Sequence, residues 1–290
     1  MIETFPMRAL ASLRCPADGR PLERAGSTGA RCAGCGRVFP IEGPVLSVGL
    51  ENLHEESEHE RRIRDAEASA NPEPSWNAPS DVMETDATLE ALDLRAHHRL
   101  LEMGPGRGRF TRRVESLCAE VVAVDISLES LRGAARRLSR DTVALIQGDA
   151  TKPVVAPGTF DRVLGTLTSN LPSRTLREAS YAAASQALRA DGKFVFTTHY
   201  LGIRARLDRE PREGRYTEGG IYRCLLTAAD VRRETAPYFR RARVRPICVV
   251  LPFSRRLGIP LAGADRIARR MPLLRAFGDL LLVEASAPRR

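Results

Sequence analysis

The sequence predicts an α/β protein in which a seven-stranded, largely parallel sheet with helices between its strands follows a small Cys-rich module. Three observations carry this. From about residue 84, apolar runs of strand length alternate with helical stretches; a glycine-rich turn, Gly104, Gly106 and Gly108, follows the first of these runs; and three of the six cysteines, Cys15, Cys32 and Cys35, crowd the first 40 residues. With 290 residues and 43% hydrophobic content, the chain can bury one core of ordinary domain size with something small beside it.

The first segment, 15–46, is rich in Gly, Pro and Cys and too poor in apolar material to fold unaided, so it needs a staple. Residues 54–70 (HEESEHERRIRDAEASA) are polar nearly all round and predict a solvated helix; 71–81 (NPEPSWNAPSD) read as a linker. The expected division is thus a module at 1–50, a helical linker at 51–83 and the large domain at 84–290. Within the last, strands are expected near 99–103, 121–125, 143–147, 161–165, 193–198, 244–250 and 280–285, with helices at 109–118, 127–139, 174–190 and 227–237. The last helix is announced by Thr227 and Asp230 at capping-box spacing.

All but two of the 45 basic residues are arginine, the exceptions being Lys152 and Lys193. The formal charge of +9 points weakly to a polyanionic partner such as RNA, because a GC-rich genome favours arginine without selection for binding. No run approaches the roughly 18 apolar residues of a membrane-spanning helix, and the first 20 residues lack the basic start and apolar stretch of a signal peptide. A cytoplasmic protein is expected. Cys118, Cys224 and Cys248 sit in apolar contexts and read as small buried hydrophobes.

The stretch from Leu101 to Phe110 follows the first strand of the large domain and opens a helix. Glycines at alternating positions let the backbone turn and approach a ligand closely. The spacing is G-x-G-x-G, with Glu102 two residues before the first glycine, and it resembles motif I of class I S-adenosylmethionine-dependent methyltransferases. The likeness continues in order along about 85–200. Asp125 ends the second strand 17 residues after Gly108; Gln147-Gly148-Asp149-Ala150 follows the third; Phe160-Asp161 begins the fourth; and Leu188-Arg189-Ala190-Asp191-Gly192 resembles the family's turn into the fifth. The resemblance implies a seven-stranded Rossmann-like methyltransferase sheet and a cofactor site built from Glu102, Gly104, Gly106, Gly108, Asp125, Ile126, Asp149, Ala150 and Gly165. Asp125 would accept the ribose hydroxyls, and Asp149 would face the adenine amino group.

Cys15-x-x-Asp18 and Cys32-x-x-Cys35 form two knuckles 13 residues apart, the arrangement by which two tight turns offer four ligands to tetrahedral zinc. The tract is similar to zinc-ribbon methyltransferase activators and to ribbon headers fused to some bacterial methyltransferases, with Asp18 in place of one cysteine. Bound zinc on Cys15, Asp18, Cys32 and Cys35 is the expectation, with water or His54 as substitutes for Asp18 and a metal-free remnant as the alternative. Because 71–81 reads as a linker, loss of the metal is expected to loosen the module and leave cofactor binding intact.

The acceptor is expected beside the loop 165–172. The Asn/Asp-Pro-Pro-Tyr/Phe motif of amino-directed DNA and protein methyltransferases is absent despite Asn170-Leu171-Pro172, which disfavours exocyclic adenine or glutamine methylation. His199 and Tyr200, ending the fifth strand, are candidate general bases. The insertion at 201–226 suits a mobile lid, and 259–282 mixes an apolar face with Arg266, Arg269, Arg270 and Arg275 in a way that suits packing, an amphiphilic substrate or a membrane surface. A small-molecule methyl acceptor for O-, N- or C-methylation is the first reading; RNA methylation and a non-catalytic adapter are the alternatives.

Overall fold

The structure, a computed structural model, describes residues 1–139, 141–215, 220–250, 260–271 and 273–289, with the side chain of Ser169 left aside. Parts of the expected lid (216–219) and of the C-terminal basic stretch (259 and 272) therefore lie outside the described residues.

All seven expected strands are present: β5 (Arg99–Met103), β6 (Glu120–Asp125), β7 (Val143–Gln147), β8 (Phe160–Gly165), β9 (Leu188–His199), β12 (Phe239–Val249) and β13 (Gly278–Pro288). Their spatial order is β7-β6-β5-β8-β9-β13-β12, parallel except for β13, which runs antiparallel to both β9 and β12. The order reverses at β5: the chain builds outward through β6 and β7, then returns to lay β8 on the other side. Ligands of open α/β sheets sit at such a switch point, outside the carboxyl ends of the strands. The central strands carry buried apolar side chains on both faces, Leu101 and Met103 toward one core and Leu100 toward the other.

The count of seven needs correction, because among the described residues the sheet has eleven strands. The Cys-rich tract supplies β1 (Leu22–Arg24), β2 (Gly29–Cys32), β3 (Val38–Glu42) and β4 (Val45–Ser47), and β4 pairs in parallel with β7. A second seam joins Arg14 N–H to the Val154 carbonyl and Ala156 N–H to the Ser12 carbonyl. Leu13, Leu22, Phe39, Leu46 and Val48 are buried in the same core as Leu101, Val122 and Ile146. Burial of each such side chain contributes about 1.5–3 kcal/mol, so this seam is worth several kcal/mol. The expected boundary at residue 50 thus falls inside one continuous sheet and core.

Helix α1 (Glu55–Ala70) forms where the polar pattern predicts it, with His54 Nδ1 accepting from Glu56 N–H at its start. Helix α2 (Pro79–Leu92) takes in the end of the expected linker 71–81; Pro79 begins it, its fixed φ suiting the first helical position. Of the stretch 109–118 only α3 (Thr111–Val114) is helical, followed in order by α4 (Leu128–Ala135), α5 (Arg174–Ala187) and α7 (Ala228–Thr235), the last closed by the full Thr227/Asp230 capping box. The 201–226 insertion holds α6 (Ile203–Leu207) and a hairpin of β10 (Glu213–Arg215) and β11 (Tyr222–Cys224); α8 (Leu261–Ala268) packs near α2. Among the described residues no helix is long and apolar enough to cross a membrane.

Candidate functional site: a cofactor cavity and a four-ligand knuckle pair

A cavity of about 390 Å³ opens at the carboxyl ends of β5, β6, β7 and β8. Gly104 and Gly106 adopt φ of +77° and +53°, which side chains resist, and a Cβ on either would project into open space. These glycines therefore leave a bare backbone wall. Asp125 braces it: Oδ2 accepts from Gly106 N–H and Oδ1 from Ser127 N–H, both at 2.8 Å. Burial raises the Asp125 pKa, partly offset by those two donors. Asp149 turns its own loop by accepting from Thr151 N–H at 2.9 Å and Thr151 Oγ1 at 2.6 Å.

Seven of the nine expected cofactor residues line the cavity: Gly104, Gly106, Asp125, Ile126, Asp149, Ala150 and Gly165. The other two stand behind it. Gly108 lets the chain pass against α4, its Cβ position lying 3.2 Å from Ala134 Cβ. Glu102 is fully buried, accepts from Thr111 Oγ1 at 2.8 Å, and is pushed by burial up to about 7. Its folded pKa lies above the ordinary 4.5, so the stability it contributes is present below about 4.5 and is lost as pH rises through about 7. Glu102→Gln, permanently neutral, is expected to flatten that dependence in melts of the ligand-free protein; an unchanged slope would assign it to other groups.

His199 ends β9 and Tyr200 follows it, beside the insertion and outside the cavity wall. His199 pairs with Leu280 across the sheet, its carbonyl accepts from Leu226 N–H, and Tyr200 N–H donates to the Asp279 carbonyl. Burial, with Arg223 nearby, lowers the His199 pKa to about 4, which leaves a neutral imidazole of weak basicity. The loop after β8 does face the cavity, through Thr166, Leu167, Thr168, Asn170 and Leu171. The Asn170 side chain is buried, and its Oδ1 has no hydrogen-bond partner among the described residues.

Several lining residues escaped the pattern reading. Leu53, Ser57, Glu60, Arg64 and Glu67 line the cavity from the α1 side, spaced by four, three, four and three. That period is helical, but the stripe is mostly polar and gives no amphipathic signal. On α2, Glu84 accepts from Thr197 Oγ1 at 2.6 Å and from Arg109 Nη2 at 2.6 Å, while Arg109 Nη1 donates to Asp81 at 2.8 Å.

The Cys-rich knuckles gather the four expected ligands: one donor atom each from Cys15, Asp18, Cys32 and Cys35, all within 4.8 Å of one another. Both knuckles have the same backbone bonding. Cys15 N–H donates to the Arg20 carbonyl and Gly19 N–H to the Cys15 carbonyl; Cys32 N–H donates to the Arg37 carbonyl and Gly36 N–H to the Cys32 carbonyl. Asp18 therefore occupies in the first turn the place Cys35 takes in the second. The Cys15 and Cys35 sulfurs are 3.8 Å apart, the edge of a tetrahedron with metal–sulfur bonds of about 2.3 Å. Gly34 keeps the centre open, since a Cβ there would lie 2.5 Å from Asp18 Oδ2. His54 is occupied at the start of α1.

The cavity, with its bare-glycine loop and strand-end carboxylates, lies at the switch point where open α/β sheets bind ligands, and comparison with known proteins adds the family. Residues 100–192 match the methyltransferase domain family. The chain is 32% identical over 83 residues to ribosomal RNA small subunit methyltransferase A of Thermosynechococcus vestitus, covering 29% of this chain and 31% of that protein. It is 27% identical over 173 residues to the probable enzyme of that name from Methanothermobacter thermautotrophicus, covering 59% and 60%. The chain thus spans between about a third and three fifths of these relatives. Among solved structures, the DhpI–SAM–HEP complex superposes with a TM-score of 0.55 at 20% identity, covering 82% of this chain and 99% of that one. A chain of the Haloferax volcanii complex containing the Trm112 methyltransferase activator gives 0.55 at 14%, covering 78% and 98%. Residues 100–192 thus carry a methyltransferase domain, and the fold around them is that of Rossmann-like S-adenosylmethionine-dependent methyltransferases.

Proposed function

We propose that the protein methylates a small molecule and that residues 1–50 hold one structural zinc through Cys15, Asp18, Cys32 and Cys35. When bound, the cofactor's sulfonium supplies an electrophilic methyl for in-line transfer. The protein's part is to position the two reactants and exclude water. The observation that carries the small-molecule reading is the charge of the wall: six carboxylates, Glu60, Glu67, Asp81, Glu84, Asp125 and Asp149, against three guanidinium groups. With Arg109 and Arg64 already paired to four of these carboxylates, such a wall offers a phosphate backbone little positive charge and accommodates neutral or cationic molecules. Helix α1 and Trp76 also line the cavity and confine what can enter.

On the acceptor side, the unpaired Oδ1 of Asn170 suits an N–H or O–H donor on the acceptor. Asn170→Ala is expected to lower kcat about tenfold while leaving cofactor affinity unchanged, the signature of a contact made by the acceptor alone.

Transfer of labelled methyl to the low-molecular-mass fraction of a cell extract, and not to ribosomal RNA, tests the assignment. Ribosomal RNA methylation is the second reading, favoured by the names of the relatives above. It requires label in RNA together with RNA affinity that falls steeply with salt. A protein that binds no S-adenosylmethionine would instead be an adapter.

A further inference from the structure

We propose that Glu60, on the cavity-facing stripe of α1, is a second ribose-side carboxylate of the cofactor site, taking one hydroxyl of the cofactor's vicinal diol while Asp125 takes the other. This rests on the S-adenosylmethionine reading and adds to it a contact from outside the 100–192 segment that matches the methyltransferase family.

The position of Glu60 follows from how α1 is tied down. Before its first turn, the Glu51 carbonyl accepts from Lys152 Nζ at 2.6 Å, beside the Asp149 loop. After its last turn, the Asn71 carbonyl accepts from Arg107 Nη1 at 2.7 Å, beside the glycine loop. Between them, Asp65 accepts from Ser127 Oγ at 2.7 Å and Glu129 N–H at 3.2 Å, at the start of α4 just after Asp125. Helix α1 therefore runs along the cavity from the Asp149 loop to the glycine loop. Glu60 and Asp125 both line that cavity, close enough for the Asp125 charge to act on Glu60.

Its bonding is incomplete. Among the described residues the Glu60 carboxylate has one long hydrogen bond, 3.5 Å from Arg64 Nη2, and Arg64 also serves Glu67 at 3.1 Å. Burial raises the Glu60 pKa; Arg64 opposes the shift and the nearby Asp125 charge adds to it. The Glu60 side chain is half-buried and its one donor is long and shared with Glu67, so the site favours a ligand that brings O–H groups. Asp125 already spends one lone pair of each oxygen on Gly106 and Ser127. Two carboxylates facing a diol divide between them donors that neither would take alone.

The test is calorimetry with S-adenosylhomocysteine and with 5′-methylthioadenosine, which keeps the ribose and lacks the aminoacid part. Glu60→Ala is expected to weaken both ligands about tenfold. Glu60→Gln should weaken both only about threefold, because a neutral acceptor bond is roughly half as strong as a charge-assisted one. Unchanged affinity of Glu60→Ala for methylthioadenosine overturns the proposal, including the case where only the homocysteine ligand is weakened, which would move Glu60 to the aminoacid end. If the wild-type protein binds neither nucleoside, the cofactor reading fails and takes this proposal with it.

Discussion

Cys32→Ser is expected to release the metal, lower the melting temperature of the whole chain and weaken cofactor binding, all in one variant. The first effect follows from the ligand set: a thiolate is lost from a centre that has only four donors. The second follows from the shared sheet. Cys15 and Cys32 are buried in the same core as the central strands, and β4 pairs with β7. Metal binding in small ribbons is folding free energy, about 10–16 kcal/mol in isolated finger peptides, and packing against the sheet would supply part of that support in this chain. A loss of only about 3 kcal/mol would lower the melting temperature by roughly 5 °C in a chain of this size.

The third effect runs through a short relay. Val48 N–H donates to the Gln147 carbonyl at 2.9 Å, Ser47 Oγ to Gln147 Oε1 at 2.8 Å, and Gln147 Nε2 to the Ile126 carbonyl at 3.3 Å. Val48 also presses so close to Gly148 that a Cβ there would meet it at 2.8 Å. The last strand of the module thus buttresses the loops that carry Ile126 and Asp149. Metal analysis should find about one zinc per wild-type chain, and chelation should reproduce the shift in melting. A metal-free wild-type protein, or a Cys32→Ser variant with wild-type melting, would sink the idea. A variant that loses zinc and melts early but binds cofactor normally would restore the independence that a linker at 71–81 suggested.

What could be read in advance divides along physical lines. Strands buried on both faces, such as Val121–Val124 and Val143–Ile146, are near-continuous apolar runs bounded by turns, and their ends placed Asp125 and Asp149. Strands β1 and β4 have three residues each, too few for a period to show. The place of β4 in the sheet is decided by pairing with β7, 100 positions away, which no local pattern encodes. The polar stripe of α1 was invisible for a different cause: hydrophobic periodicity detects faces that meet a core, and this face meets a cavity. His199 was placed correctly at a strand end, but on β9, where the neighbouring β13 and the insertion close over it. Asn170 lay in a tract weighed only for the motif it failed to complete, and an unmet buried acceptor becomes apparent only once its surroundings are assembled.

Asp125→Ala is expected to weaken S-adenosylhomocysteine binding by about 1–3 kcal/mol, roughly five- to 150-fold, and to fall toward the upper end of that range. Two losses combine. The ribose loses a charged acceptor whose hydrogen bonds in a buried site are stronger than those of neutral groups. The Gly106 and Ser127 amides lose the oxygens that hold them at 2.8 Å, so the glycine loop and the start of α4 lose their common brace. Asp125→Asn separates the two: its one amide oxygen can still brace a single backbone N–H, and it removes the charge, so its affinity should lie between wild type and alanine. Calorimetry reads both, and unchanged affinity in Asp125→Ala would mean that the ribose lies elsewhere in the cavity. The double variant with Glu60→Ala adds a sharper criterion. Carboxylates serving one diol are not independent, so the double variant should lose less than the sum of the single losses, whereas additive losses would place the two groups on different parts of the ligand.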